Sequence, residues 1–134
     1  MEDWKIRIAV LWLIAELVAI VGNLIELYEP GFIEGVIAGE YAGIEITPEL
    51  MVLNAILFLI APLMAFLSLT LKDSINRWAN IIVGIVLTIF GFATIAEYLA
   101  QNSAYLASEI LIEIAWVLTT ILIAWYAWKA KPKA

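Results

Sequence analysis

Side chains that ionise or form hydrogen bonds interrupt several long apolar stretches of this sequence. Such groups are rare within a lipid bilayer, and those that occur there commonly serve a proton, ion or ligand site. Carboxylates exchange protons and attract cations, whereas amides and indoles hold a ligand through hydrogen bonds. The candidate binding residues selected on this ground are Glu16, Asn23, Asn54, Glu109, Glu113 and Trp116.

The spacing of these residues places them on shared helix faces. Asn23 follows Glu16 by seven residues, so both lie on one face, and Glu26 continues that face by about one turn. Glu109 and Glu113 are four residues apart and also share a face. Because both polar faces run toward the same end of the molecule, we expect them to converge on a pocket that opens outward. No catalytic residue is predicted.

Glu16 is expected to lie deepest of these groups. It follows Ile8 by eight residues, which is about 12 Å along a helix and close to the bilayer midplane. No Lys, Arg or His occurs within the apolar stretches, so no cation of the chain pairs with this carboxylate there. Three states stay open: a protonated side chain that joins helices, a hydrated carboxylate in a cavity, or a carboxylate paired with a bound cation.

The elements that must position these groups are membrane-spanning helices. The chain has 134 residues, of which 65% are hydrophobic, and its mean hydropathy of +1.01 exceeds that of soluble domains. A spanning helix needs about 20 mostly apolar residues. Residues 8–28, 50–71, 78–96 and 105–128 meet this requirement. The sequence therefore predicts an all-α fold, a four-helix transmembrane bundle formed by one domain over residues 1–134.

The basic residues predict the orientation of this bundle. All seven precede the first span, separate the second span from the third, or follow the fourth. Since basic residues concentrate on the cytoplasmic side, both termini are expected in the cytoplasm. Arg77 and Asn80, at the inner end of the third span, are also candidates for contact with a lipid headgroup. The seven residues are Lys5, Arg7, Lys72, Arg77, Lys129, Lys131 and Lys133.

The longest connection, residues 29–49, is predicted to fold at the outer surface. Pro30 and the apolar residues after it indicate a short interfacial helix over 31–38, which Gly39 ends. Residues 41–46 are expected to be extended. The whole segment forms either a lid over the bundle or a layer on the lipid surface. The other two connections, 72–77 and 97–104, are predicted to be short turns.

Three local patterns concern the second and third spans. Thr47 is a typical N-cap residue, and Pro48 follows it at the first helical position. Pro62 removes a backbone donor and is expected to kink the second span. In the third span, small or polar residues recur at helical spacing and should allow a close approach of another helix. They are Asn80, Gly84, Thr88 and Gly91.

Composition excludes several function classes. The chain has no His and no Cys, so it lacks the usual ligands of zinc, copper and iron–sulfur clusters, and no metal or cofactor is expected. The net charge of −6 disfavours binding to nucleic acid. The expected partners are the lipid bilayer, a lipid or small lipophilic ligand, and a second copy of the chain in a homo-oligomer.

Three motifs carry a family resemblance. They are Asn76-Arg77-Trp78-Ala79-Asn80-Ile81-Ile82-Val83-Gly84, the closing Trp125-Tyr126-Ala127-Trp128, and the pairs Pro30-Gly31 and Ala38-Gly39. Together they resemble the small DoxX-like four-helix membrane proteins of prokaryotes, a largely uncharacterised family. This resemblance implies a bundle in the prokaryotic cell (inner) membrane and carries no catalytic residue. The stretch Ala15-Glu16-Leu17-Val18 resembles the first helix of small multidrug transporters, in which a glutamate binds protons and lipophilic cations.

The residues favour a non-enzymatic membrane protein. In this hypothesis the outward-facing pocket binds a lipid, a small lipophile or a partner subunit. One alternative is a proton-coupled transporter of a small molecule or cation that uses Glu16. Another is an accessory subunit of a membrane enzyme complex.

Overall fold

The described residues form five helices and one small hairpin. The computed structural model describes residues 2–41 and 43–131. The predicted all-α fold is confirmed, and four of the helices are long and apolar enough to span a membrane. This is the architecture of a multi-pass membrane protein. In chain order the elements are α1 (Asp3–Glu26), α2 (Phe32–Ile37), β1 (Glu40–Tyr41), β2 (Ile44–Glu45), α3 (Pro48–Thr70), α4 (Asp73–Gln101) and α5 (Leu106–Lys129).

The two short connections are tighter than predicted. The turn between α3 and α4 contains only residues 71 and 72, because α4 already begins at Asp73. An acidic residue in the first turn is favourable next to the positive end of the helix dipole. The periodicity of apolar residues does not reveal this effect. At the other end α4 runs on to Gln101 and stops at Asn102, whose φ of 49° is left-handed. Both predicted turns, 72–77 and 97–104, are therefore partly helical.

Among the four long helices, α1 packs between α3 and α5, and α5 packs between α1 and α4. α3 and α4 meet only slightly, close to the turn that joins them. The outer part of α3 has little support, since every side chain from Met51 to Leu57 is exposed. Pro62 lies just beyond this part, and the helix continues through it. Its missing N–H leaves the carbonyl of Phe58 without its usual helical donor.

Small residues bring α4 and α5 into close contact, as predicted from their spacing. A Cβ atom on Gly84 would lie 3.2 Å from the Cβ atom of Ala124. The hydroxyl of Thr88 lies 2.8 Å from that of Thr120 across the same interface. Side chains larger than hydrogen at Gly84 would push the two backbones apart, so the glycine sets the distance between the helices.

A buried polar network ties three helices together at the end that carries the basic residues. The indole N–H of Trp12 on α1 donates to Oδ1 of Asn80 on α4 at 2.6 Å. Nδ2 of Asn80 donates to Oδ1 of Asn76 at 2.6 Å, and Nδ2 of Asn76 donates to the backbone carbonyl of Ser68 on α3 at 2.6 Å. Asn80 is fully buried, and both the oxygen and the nitrogen of its side-chain amide form hydrogen bonds. It is therefore not available to a lipid headgroup, contrary to the prediction.

The basic residues collect at this same end of the bundle. Nζ of Lys5 forms a salt bridge with Asp73 at 2.6 Å, which joins the start of α1 to the start of α4. The Arg77 guanidinium donates to the carbonyls of Ala127 and Trp128 at the end of α5, both at 3.3 Å. The three basic segments are thus neighbours, as an even number of spans requires. Lys133 lies outside the described residues.

The outer connection folds as predicted in outline. α2 replaces the expected helix over 31–38, and the hairpin of β1 and β2 occupies the segment expected to be extended, with Ala42 outside the described residues. Gly39 has a φ of 88°, a conformation that suits glycine and ends α2. The Thr47 hydroxyl accepts a hydrogen bond from the Leu50 N–H at 3.2 Å, which confirms the N-cap.

Candidate functional site

Three carboxylates lie within electrostatic range of one another at the end of the bundle opposite the basic residues, which we call the outer end. Glu26 is the last residue of α1, Glu29 follows it in the connection, and Glu109 stands in the first turn of α5. Burial raises the pKa of Glu29, and the nearby charges of Glu109 and Glu26 and a hydrogen bond with Glu109 raise it further. The site therefore favours a shared proton or an added positive charge.

Each of the other two carboxylates has one hydroxyl partner. The Tyr41 hydroxyl in β1 donates to Oε2 of Glu26 at 2.8 Å, and the Ser103 hydroxyl donates to Oε2 of Glu109 at 2.8 Å. Burial and the hydrogen bond to Glu26 raise the pKa of Tyr41, so the phenol keeps its proton and stays a donor. By contrast, Oε1 of Glu29 is buried without a hydrogen-bond partner among the described residues.

A pocket of about 310 Å³ opens beside Glu29. Its wall is formed by the outer connection and includes Pro30, Phe32 and Tyr41. The rings of Phe32 and Tyr41 meet edge to face with their centroids 5.6 Å apart. Glu40 also lines the pocket, so two acidic residues stand next to two aromatic rings. This combination recognises organic cations, through charge pairing and through the negative faces of the rings.

Glu113 and Trp116 lie deeper, against α4 at Gly91. A Cβ atom built on Gly91 would lie 3.1 Å from Oε1 of Glu113 and 3.0 Å from Cδ1 of Trp116. Tyr98, near the outer end of α4, is within electrostatic range of Glu113 and of Glu109. The two glutamates predicted on α5 therefore both face the outer half of the bundle, with Glu113 on the α4 side.

Three candidate residues do not join these groups. Asn23 is exposed, and its Nδ2 donates to the carbonyl of Ala19 in its own helix at 2.8 Å. Asn54 is exposed on the unsupported outer part of α3. Glu16 is half-buried in the middle of α1, and no hydrogen-bond or ion-pair partner for it occurs among the described residues. Sequence periodicity places a residue on a face but does not say how far the neighbouring helix stands from it.

Two members of the site were missed by the sequence reasoning. Glu29 and Tyr41 both lie in the connection, where residues were interpreted as surface loop. The signal available in the sequence was the acidic residue three positions after Glu26, which continues the polar face of α1 past the end of the span. The hydrogen bond from Tyr41 to Glu26 forms because the hairpin turns back toward α1. No pattern in the sequence predicts that contact.

The electrostatics of the site are one-sided. The described basic residues all lie at the opposite end of the four long helices, so no Lys or Arg neutralises Glu26, Glu29 and Glu109. Within the part of the chain that the structure describes, no three acidic side chains are arranged to hold a metal ion. What the arrangement offers is proton sharing between carboxylates and attraction for a cation from outside the chain.

A comparison with family models decides the family. The model described as a family of unknown function, DUF6326, matches residues 1–133. The chain belongs to the DUF6326 family. No curated protein and no solved structure matched the chain. The DoxX-like resemblance has no support from these comparisons and stays a prediction for this DUF6326 member.

Proposed function

We propose that this DUF6326 protein is a non-enzymatic membrane protein whose outer-end pocket binds a small lipophilic molecule that carries a positive charge. The observation that supports the proposal is Oε1 of Glu29, a buried carboxylate oxygen without a partner among the described residues, beside the carboxylates of Glu26 and Glu109. A bound amine or quaternary ammonium group supplies the missing positive charge. The Phe32 and Tyr41 rings supply the apolar and cation–π contacts for the rest of the ligand.

The volume of the pocket is consistent with this class of ligand. About 310 Å³ is at the lower end of the range for small-molecule sites, which begins at roughly 300 Å³. A neutral lipid tail gains nothing from an unpartnered carboxylate and would increase the cost of burying it. A cation removes that cost, so charge is the property that should distinguish ligands from other lipophiles.

Binding of benzyltrimethylammonium to the protein in zwitterionic nanodiscs tests the proposal. Saturation-transfer NMR should show binding of this cation and much weaker binding of the neutral probe benzyl alcohol. We expect Glu29→Gln to weaken binding by about tenfold or more, since it removes the charge while conserving size. Glu34→Gln, which changes an exposed glutamate of α2, should leave binding unchanged. Equal binding of both probes, or an unaffected Glu29→Gln variant, would refute the proposal.

Glu16 supports a second candidate function, a proton-coupled transporter. Its carboxylate sits half-buried in mid-helix without a partner among the described residues, which is the situation of a group that exchanges a proton for a cationic substrate. Ethidium uptake into proteoliposomes under an imposed pH gradient tests this function. Glu16→Gln should abolish the uptake, whereas Glu34→Gln should not. Uptake of unchanged size and pH dependence in Glu16→Gln would eliminate the transporter hypothesis.

The orientation of the bundle also belongs to the proposal. The clustering of Lys5, Arg77 and the other described basic residues at one end supports a cytoplasmic location of that end. Because the chain has no Cys, single cysteines report location without background. In intact cells, a membrane-impermeant maleimide should label Ala104→Cys at the outer end and not Ser74→Cys at the basic end. The reverse labelling would place the carboxylates inside the cell.

A further inference from the structure

The surface of the bundle carries one long apolar groove between α4 and α5. Its volume is about 380 Å³, and its walls are formed by isoleucine and aromatic side chains that are exposed except for Ile81. The only hydroxyl in its lining belongs to Thr88, which already bonds to Gly84 and Thr120. The groove therefore offers no free polar group along its length and suits a hydrocarbon chain. The side chains used below are Ile85, Trp125 and Trp128.

Small residues create this groove. The floor contains Ala124, which approaches Gly84 so closely that a Cβ on the glycine would lie 3.2 Å from the alanine Cβ. The larger side chains of α4 and α5 stand on either side of this line of contact. The shape is thus fixed by the same close helix packing that holds the bundle together, and it does not depend on loops.

Two cationic side chains, those of Arg77 and Lys129, lie at the basic end of the groove. Each makes a cation–π contact with a tryptophan of the groove. The Arg77 guanidinium carbon lies 5.8 Å from the centroid of the Trp128 ring. Nζ of Lys129 lies 4.2 Å from the centroid of the Trp125 ring. Arg77 uses Nε and Nη2 on backbone carbonyls of α5, which leaves further N–H donors of its guanidinium for a ligand. No salt bridge joins Arg77 or Lys129 to a carboxylate among the described residues.

The length of the groove matches one leaflet of a bilayer. The α4 residues that line it run from Ile81 to Phe92, which corresponds to about 16 Å along the helix. Half of a hydrocarbon core is about 15 Å thick. A chain that begins next to the cations at the membrane surface would therefore run along the groove toward the midplane.

We propose that this groove, independently of the outer-end pocket, binds one anionic phospholipid of the leaflet at the basic end. The phosphate pairs with Arg77 and Lys129, and one acyl chain lies along the groove against Trp125 and Trp128. Charge favours this occupant over a second copy of the chain. A two-fold axis along the membrane normal would bring the same two cations of both copies toward each other, which is unfavourable.

Native mass spectrometry from micelles that contain equal amounts of phosphatidylglycerol and phosphatidylcholine tests this site. The protein should retain one phosphatidylglycerol molecule, and retention should fall about tenfold or more in Lys129→Gln. Ile85→Trp should have a similar effect, because the larger ring fills the groove without altering any charge. Neither variant removes the hydrogen bonds of Arg77 to α5, so loss of lipid in them cannot be ascribed to loss of that contact. Their thermal midpoints serve as a check of the fold.

Arg7→Gln is the matched control. Arg7 lies at the same end, 5.8 Å from the ring of Tyr126, and does not line the groove. It should leave retention unchanged. Equal loss in Arg7→Gln would overturn the proposal, because general surface charge would explain the binding. Equal retention of phosphatidylcholine, absence of retained lipid, or a dimer that Ile85→Trp converts to monomer would overturn it as well.

Brominated lipids locate the bound chain. Phosphatidylglycerol with a dibrominated acyl chain should quench tryptophan fluorescence of the native protein more strongly than the brominated phosphatidylcholine does. In a variant with Trp125→Phe and Trp128→Phe this excess quenching should disappear. If the excess persists in that variant, the chain contacts other tryptophans and the groove is not its site.

Discussion

The contact between Gly91 and α5 leads to a quantitative prediction for Gly91→Ala. The added Cβ would lie 2.6 Å from Cγ2 of Val117, 3.0 Å from Trp116 and 3.1 Å from Glu113. Valine in a helix has essentially one rotamer, so Val117 cannot turn its methyl group away at low cost. Overpacking of this kind costs about 1–3 kcal/mol. Replacing glycine by alanine in a helix returns up to about 1 kcal/mol.

The expected net loss for Gly91→Ala is therefore about 1 kcal/mol in the free energy of unfolding. Equilibrium unfolding in mixed micelles with increasing fractions of sodium dodecyl sulfate, followed by circular dichroism, measures it. Gly35→Ala is the matched control, since its Cβ would meet only the Glu40 carbonyl at 3.5 Å, an ordinary contact. It should be neutral or slightly stabilising.

A double-mutant cycle isolates the close contact from other effects. In a Val117→Ala background the 2.6 Å contact no longer exists, so Gly91→Ala should cost at least about 1 kcal/mol less than in the native protein. If Gly91→Ala is as stable as Gly35→Ala and shows no coupling to Val117, the packing described for α4 and α5 is incorrect at this point.

Two further predictions concern the two ends of the bundle. At the basic end, Trp12→Phe should lower the free energy of unfolding by about 1 kcal/mol in the same unfolding assay, whereas Asn80→Leu should cost about 2–3 kcal/mol, because it leaves the Trp12 N–H buried without an acceptor. Equal losses would contradict the hydrogen-bond network. At the outer end, the pKa of Glu29 is raised above the ordinary value of 4.5, so the folded state binds a proton more tightly than the unfolded state. Stability should therefore rise as the pH falls from 8 toward 5, as seen in the thermal midpoint. Glu29→Gln should reduce this slope, and Glu34→Gln should retain it. An identical slope in Glu29→Gln would show that another group titrates.

The overall architecture follows from the sequence because hydropathy is a local property. A stretch of about 20 apolar residues has one stable form in a bilayer, so the four long helices, the N-cap at Thr47 and the end of α2 at Gly39 were all predictable. The exact first and last residues of the helices were less predictable. The ends of α4 depend on the interaction of Asp73 with the helix dipole and on the left-handed backbone conformation of Asn102. Both effects are small compared with burial and do not appear in the hydropathy pattern of the sequence.

The site was only partly predictable, because it depends on contacts between distant segments. The spacing of Glu109 and Glu113 placed both on one face of α5, and the structure places both in the half of α5 away from the basic end. The loose packing of α3, which leaves Asn54 exposed, results from the distances between helices and is not encoded by spacing within one helix. The approach of Tyr41 to Glu26 likewise requires the hairpin geometry. Asn80 was interpreted both as a candidate lipid-headgroup contact and as part of the face of α4 that approaches another helix, and the structure buries it as a hydrogen-bond acceptor for Trp12.

The uneven support of α3 has a mechanical consequence. The inner part of this helix is held by the polar network, whereas residues 51–57 are exposed and belong to a segment from Pro48 to Pro62 that is about 21 Å long. A rotation of about 10° at Pro62 moves its outer tip by about 4 Å. That tip continues directly into the hairpin, which the Ile46 N–H ties to the Gly39 carbonyl at 2.7 Å and whose Tyr41 holds Glu26. A tilt of α3 at Pro62 would therefore displace the wall of the outer pocket, although Pro62 is not among the residues that line it.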